Sequence, residues 1–133
     1  MKNKKQILIV EDEVTLAMII HDALEAEGYE TIIANNGLQG IDSYYKYHPN
    51  LIIADIMMPG IDGFEMISRI RKEDKETPVL FLSARSSTDD IVSGFELGAN
   101  DYVRKPFSLR ELIVRTKALL SKSKTEEEKT GFY

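Results

Sequence analysis

The 133-residue chain contains no cysteine, which excludes disulfides and thiolate metal sites. It has no apolar stretch approaching the ~20 residues of a membrane-spanning helix. Nor does it carry an excess of positive charge: 17 Lys and Arg stand against 22 Asp and Glu, a net charge of -5. A surface of that sign does not grip nucleic acid by itself, so any role on DNA would belong to a further domain. There is no internal repeat. The start, Met1-Lys2-Asn3-Lys4-Lys5, is basic, but the apolar run behind it, Gln6–Val10, is too short for the core of a signal peptide. A cytosolic (cytoplasmic) protein without a membrane partner is the expectation.

What is present suits one domain with a real core: 43% of residues are hydrophobic and 29% charged. Strand-like runs occur at Gln6–Val10, Thr31–Ala34, Leu51–Ala54, Val79–Leu82 and Tyr102–Val103. Stripes at helical spacing lie between them: Leu16, Ile19, Ile20, Ala23 and Leu24; Leu38, Ile41 and Tyr45; Phe64, Ile67 and Ile70; Ile91, Val92 and Phe95. Leu109, Leu112, Ile113, Thr116, Leu119 and Leu120 form the last stripe. Gly28 and Gly98 read as helix stops and Asn35-Asn36-Gly37 as a turn. Ser108 with Glu111, and Ser87 with Asp90, read as capping boxes; Asp62 reads as a cap for the helix entered at Phe64. His48-Pro49 reads as a helix terminus, with Tyr44, Tyr45 and Tyr47 packing the helix before it. Ser121 to Thr130 holds no apolar residue and reads as a solvated linker.

Strands alternating with helices predict a parallel sheet with right-handed crossovers, an α/β fold of three layers. Ligand sites in such sheets form beyond the carboxyl ends of the strands. Glu11, Asp12, Asp55, Ser83 and Lys105 all fall at such ends, which brings distant segments to one rim. A carboxylate closing a buried strand, as Asp55 does, survives only if paired or bound to a cation. Glu11 and Asp12 could instead cap the helix beginning near Val14; Glu13 reads as a first-turn acid. Ser83 could be a turn cap and Lys105 a surface lysine. If Glu11, Asp12 and Asp55 converge, like-charge repulsion should raise their pKa values, and a hard divalent cation, Mg²⁺ (or Mn²⁺) more than Ca²⁺, would relieve it. A carboxylate can attack phosphorus to give an acyl phosphate, with Mg²⁺, Lys105 and the Ser83 hydroxyl neutralising the transferring group. His21 and His48 lie far from the acidic motifs and read as neither ligands nor phosphohistidines.

The motifs Ile7–Asp12, Asp55-Ile56-Met57-Met58-Pro59-Gly60 with Asp62-Gly63, Leu82-Ser83-Ala84, and Gly98 to Phe107 through Lys105-Pro106 make the chain resemble the receiver domain of two-component response regulators, from about Lys5 to Lys122. The resemblance implies a flavodoxin-like, CheY-like sheet in the order 2-1-3-4-5 with five helices. It implies that Asp55 accepts a phosphoryl group from a sensor histidine kinase. Asp12 and Asp55 would ligate Mg²⁺ directly, with Glu11 mostly through water and the Met57 carbonyl as a further ligand. Ser83 and Lys105 would contact the phosphoryl group, and a cis bond is expected before Pro106. Ser83 and Tyr102 would act as the switch, and the output face would be the helix from Ser87, the last strand and the helix from Ser108.

Met57, Arg85, Glu96, Asp101, Glu111, Arg115 and Lys117 look most like the OmpR/PhoB subclass, which carries a winged-helix DNA-binding domain. That resemblance implies a symmetric homodimer on phosphorylation, with Asp101–Arg115 and Glu96–Lys117 pairs and with Ile91 and Phe95 on the dimer face. Ile91 departs from the subclass, where a basic residue usually partners Glu111; an apolar contact is expected instead. Residues 1–122 are then the receiver, and 123–133 a polar linker or the start of an output domain, DNA being reached only through that domain. A phosphohydrolase of the haloacid dehalogenase type would want an acid where Met57 stands. A flavin binder would need a phosphate-cradling loop where Glu11-Asp12-Glu13 stands. A degenerate, non-phosphorylated docking receiver would not need the intact acid, hydroxyl and lysine set. At most slow self-dephosphorylation is expected, with Met57 and Arg85 beside the water's path.

Overall fold

The computed structural model describes the backbone of residues 4–85 and 87–132, and side chains as far as Ser121. The basic start Met1-Lys2-Asn3 and the terminal Tyr133 lie outside the described residues. The element order is β1 (Gln6–Val10), α1 (Val14–Ala26), β2 (Glu30–Ala34), α2 (Gly37–Tyr47), β3 (Leu51–Asp55), α3 (Gly63–Arg71), β4 (Val79–Ser83), α4 (Thr88–Glu96), β5 (Asp101–Arg104) and α5 (Leu109–Phe132). The strands form one parallel sheet in the order β2-β1-β3-β4-β5, as the resemblance implied. Expected strand runs differ from the observed ones by a residue at the ends, the usual uncertainty of a boundary.

The inner strands are continuously apolar because both faces are covered. Leu8, Val10, Ile52, Ala54 and Phe81 face one layer with Met66, Ile67 and Ile70 of α3. Ile7, Ile9, Ile53, Leu80 and Leu82 face the other, with Ile20 and Leu24 of α1 and Leu112 and Leu120 of α5. Each of these Leu, Ile, Val, Met and Phe side chains removed from water contributes about 1.5–3 kcal/mol before entropy is counted. No helix among the described residues is long and apolar enough to cross a membrane.

The N-caps expected at α3, α4 and α5 form, but neither expected capping box closes, the Asp90 carboxylate accepting from the Ser87 hydroxyl and not from its N–H. Asn36 caps α2 by accepting the Gln39 N–H, Asp62 caps α3 by accepting that of Glu65, and Ser87 caps α4 by accepting that of Asp90. At α5 the Ser108 hydroxyl accepts the Glu111 N–H, but the Glu111 carboxylate turns to Arg115 instead of completing the box. His48 ends α2 in the left-handed region, at φ 47°. The Lys105–Pro106 bond is cis.

Two expectations about faces are corrected. The stripe Leu38, Ile41, Tyr45 does not form the buried face of α2: Leu38 is 58% exposed and Tyr45 43%, while Gly37, Gly40 and Tyr44 are buried. The reason is proximity. A Cβ on Gly40 would meet Met66 Sδ at 2.6 Å, and one on Gly37 would meet the Ile61 side chain at 2.4 Å, so the helix backbone itself is the packing surface. Of the three tyrosines on α2, Tyr45 and Tyr47 are exposed and Tyr44 packs inward. On α1 the buried residues are Ala17, Ile20 and Leu24, with Ile19 turned to solvent. The polar segment read as a linker continues α5 as far as Phe132, since its Lys and Glu are good helix formers and no glycine interrupts it before Gly131.

Candidate functional site: an acidic pocket at the carboxyl ends of the strands

Asp55 is the last residue of β3 and is only 3% exposed. Its Oδ1 accepts the Met57 N–H at 3.1 Å, and its Oδ2 accepts a hydrogen bond from Lys105 Nζ at 2.9 Å. The carboxylate is therefore fixed from both sides. The start of α3 lies against its backbone: a Cβ on Gly63 would sit 2.4 Å from the Asp55 carbonyl oxygen. Only glycine fits there, which accounts for Asp62-Gly63 as part of the motif.

Glu11 follows β1 and is fully buried. Its Oε1 accepts from Lys105 Nζ at 3.0 Å and its Oε2 from the Glu13 N–H at 3.0 Å. It is not a helix cap; Glu13 occupies the cap position of α1 without a side-chain bond. Lys105 thus supplies the counter-charge to two buried acids. Burial pushes the Glu11 carboxyl up to about 7, against the pull of the Glu13 N–H and of Lys105; the charge of Asp55 adds to the rise. Desolvation, more than the expected repulsion, is the main cause. Burial alone would pull the Lys105 ammonium down, but its hydrogen bonds to Asp55 and Glu11 outweigh that and lift it.

Carboxylate oxygens of Glu11, Asp12 and Asp55 lie within 4.8 Å of one another, close to the ~4.2 Å spanned by opposed oxygens on a small hard cation. The donor set is all oxygen, and the half-buried Asp12 leaves one side open to water. The three acids therefore fit a small, hard divalent cation.

Ser83 closes β4, fully buried, its hydroxyl accepting the Arg85 N–H at 3.0 Å. The Lys105 N–H is bonded to the Ser83 carbonyl at 2.9 Å, so the lysine and the hydroxyl are locked in register. Half-buried Tyr102 donates its hydroxyl to the Arg85 carbonyl at 2.6 Å. Its ring lies against Phe81, 6.5 Å between centroids. Beside the pocket, Leu16, Ile19, Pro106, Phe107 and Leu109 line an open, largely apolar groove. The histidines stay outside: His21 meets the Thr31 hydroxyl, and His48 ends α2.

Four of the charged residues expected at a dimer, Asp101, Glu111, Arg115 and Lys117, are partnered within the chain. Arg115 Nη1 lies 3.1 and 3.0 Å from the two Asp101 oxygens, and Nε lies 3.1 Å from Glu111. Lys117 reaches Glu27 at 2.6 Å, because α5 runs beside α1. Glu96 and Phe95 are exposed and Ile91 half-buried on α4.

Several structural residues escaped the sequence reading. Arg71 donates to four backbone carbonyls. Asn100 exchanges two hydrogen bonds with the Val79 backbone ahead of β5. Asn50 makes the same exchange with Gln6 ahead of β3. An asparagine one or two residues before an expected strand was the available signal for the last two.

Comparison with known proteins agrees with this geometry. The chain is 44% identical over 130 residues to the transcriptional regulatory protein YkoG of Bacillus subtilis, covering 98% of this chain and 57% of that protein. It is 42% identical over 118 residues to the transcriptional regulatory protein TrcR of Mycobacterium tuberculosis, covering 89% and 46%. The chain thus spans about half the length of these relatives. Among solved structures, the receiver domain of the Francisella response regulator 1452 superposes with a TM-score of 0.86 at 32% identity, covering 90% of this chain and 99% of that one. A CheY-like receiver domain protein from Methanospirillum hungatei superposes with a TM-score of 0.89 at 28% identity, covering 93% and 99%. The profile of the response regulator receiver domain matches residues 7–117. With the acids, hydroxyl and lysine gathered at one rim of a 2-1-3-4-5 sheet, the chain belongs to the response regulator receiver domain family.

Proposed function

We propose that Asp55 is the phosphoacceptor and that the phosphoryl donor is a sensor histidine kinase. The observation that carries this reading is the Asp55 carboxylate, buried yet held between the Met57 N–H and the Lys105 ammonium. An Asp55 oxygen forms a bond to phosphorus as the phosphorus–nitrogen bond of the donor breaks, leaving a neutral imidazole and an acyl phosphate. Lys105 and the Ser83 hydroxyl contact the phosphoryl oxygens. Glu11, Asp12, Asp55 and the Met57 carbonyl would hold Mg²⁺ (or Mn²⁺), which when bound neutralises charge on the transferring group. The apolar groove at Leu16, Ile19 and Phe107 suits a helix of the kinase docked beside the acceptor.

The chain is a phosphoacceptor with no turnover of its own beyond slow hydrolysis of the acyl phosphate. Met57, 52% exposed, and Arg85 flank the water's approach. The new phosphoryl group, carrying a charge of about -1.5 to -2, draws Ser83 toward it, and Tyr102 turns inward. We further place the chain in the cytoplasm as the receiver of an OmpR/PhoB-type regulator. It pairs as a homodimer through Ile91, Phe95, Glu96, Asp101, Glu111, Arg115 and Lys117. A DNA-binding output domain controlling transcription would belong to the full-length protein, with residues 123–133 leading toward it. The exposed Val92 and Phe95, at 48% and 47%, support a partner on α4. For the dimer to use Arg115 and Lys117, their bonds to Asp101 and Glu27 must be exchanged or shared.

The test is intact mass after incubation with acetyl phosphate. One phosphoryl adduct that requires Mg²⁺, and is lost with chelator or in Asp55→Asn, supports the reading. No adduct, or one indifferent to Asp55, would make the chain a phosphorylation-independent binding module.

A further inference from the structure

Helix α4 is held unevenly along its length. Only Gly94 of this helix is buried, whereas α3 buries Gly63, Met66, Ile67 and Ile70. The loop leading into α4 passes through exposed Ala84 and Arg85. The hydrogen bond from the Tyr102 hydroxyl to the Arg85 carbonyl ties that loop to β5.

The far end is anchored differently. Arg71, the last residue of α3, donates to the carbonyls of Leu97 at 3.2 Å and Gly98 at 3.0 Å, immediately beyond α4. The same guanidinium donates to the carbonyls of Asp74 at 3.0 Å and Thr77 at 2.8 Å, in the loop before β4. The Asp74 carboxylate holds that loop in shape by accepting the N–H groups of Glu76 and Thr77 and the Thr77 hydroxyl. A planar fork with five N–H donors can bridge two loops in this way; an ammonium cannot. Gly98 is matched to it twice, by its φ of +88° and because a Cβ there would come within 3.0 Å of Arg71 Nε. A cation at a helix C-terminus also meets the favourable end of the helix dipole.

We propose that Arg71 is the pivot of the α4 switch, a positioning residue that fixes the C-terminal end of α4 so that events at Ser83 and Tyr102 swing its N-terminal end. This rests on the phosphorylation reading above. Arg71 acts on the balance between two placements of a lightly packed helix, a balance that the phosphoryl group biases from the other end. The bonds from Arg71 to Leu97 and Gly98 are those of the unphosphorylated chain, and a swing of α4 strains them, so loosening the anchor shifts that chain part of the way toward the phosphorylated placement.

The experiment compares amide NMR positions of residues 88–98 in wild type, Arg71→Lys and Arg71→Gln, each before and after acetyl phosphate with Mg²⁺. Arg69→Lys on the same helix, whose partner is the exposed Glu65, serves as the control. Both Arg71 variants should take up phosphate on Asp55 as wild type does. Before phosphorylation their α4 amides should lie along the line joining the two wild-type states. Amide exchange at Leu97 and Gly98 should accelerate about tenfold, and Arg69→Lys should change neither. Arg71→Gln keeps two donors and leaves no charge without its partners, so it carries the test if Arg71→Lys does not fold. Unmoved α4 amides in a folded variant, or amides displaced off that line, would overturn the pivot and make Arg71 a simple brace. A wild type that shows no adduct, or no response to it, would instead sink the phosphorylation reading and the pivot with it.

Discussion

Lys105 Nζ stands 2.9 Å from Asp55 Oδ2 although 50 residues separate them in the chain. The same nitrogen lies 3.0 Å from Glu11, so one cation serves two buried acids. Removing it strands both. Lys105→Met should cost on the order of 2 kcal/mol in urea unfolding with chelator, less than a fully stranded buried pair because Glu11 can take up a proton. Since the raised Glu11 carboxyl is then paid for only when ionised, the loss should be larger at pH 8 than at pH 6. An equal loss at both values would mean that Glu11 does not respond to Lys105.

The Thr116 hydroxyl on α5 is buried without a hydrogen-bond partner among the described residues. An unpaired buried hydroxyl costs free energy that an isosteric methyl does not. Thr116→Val should stabilise the chain by about 1 kcal/mol, read as a higher urea midpoint at unchanged slope. A destabilised variant would show that the hydroxyl is satisfied in solution.

Asp74 has its carboxyl held well below the usual range. Burial alone would raise it, but hydrogen bonds from Thr77, Tyr44 and the Glu76 N–H outweigh burial. A carboxyl depressed in the folded state stabilises above its unfolded pKa of ~3.9 and loses that contribution as pH falls toward its folded value. Asp74→Asn should cost about 1–2 kcal/mol at pH 7, and its deficit should shrink below pH ~4. A deficit that is flat from pH 7 to pH 3 would contradict the assignment.

Gly63→Ala puts a Cβ 2.4 Å from the Asp55 carbonyl oxygen, a backbone atom that cannot turn aside. The start of α3 must move, and with it the loop that holds Met57 against Asp55. Phosphoryl uptake from acetyl phosphate should fall about tenfold or more, the usual consequence of misplacing a reacting group, while far-ultraviolet circular dichroism stays native. Wild-type uptake would show that the loop adapts.

The sheet and the pocket were legible because their signals are chemical and periodic. Continuous apolar runs such as Leu51–Ala54 mark strands buried on both faces, and Glu11, Asp55, Ser83 and Lys105 each follow such a run. The helix faces were less legible where packing is done by absence. Gly37 and Gly40 bring α2 against its neighbours, where apolar spacing points to Leu38 and Tyr45 instead. Arg71 was invisible because its partners are backbone carbonyls in two loops, which no side-chain pattern encodes.

The most direct test of the account traps the acyl phosphate chemically. Borohydride reduction of the protein after acetyl phosphate and Mg²⁺ converts a phosphorylated aspartate to homoserine, located by peptide mapping. The account predicts homoserine at position 55 and nowhere else. Homoserine at position 12, or at any other aspartate with Asp55 intact, would contradict it.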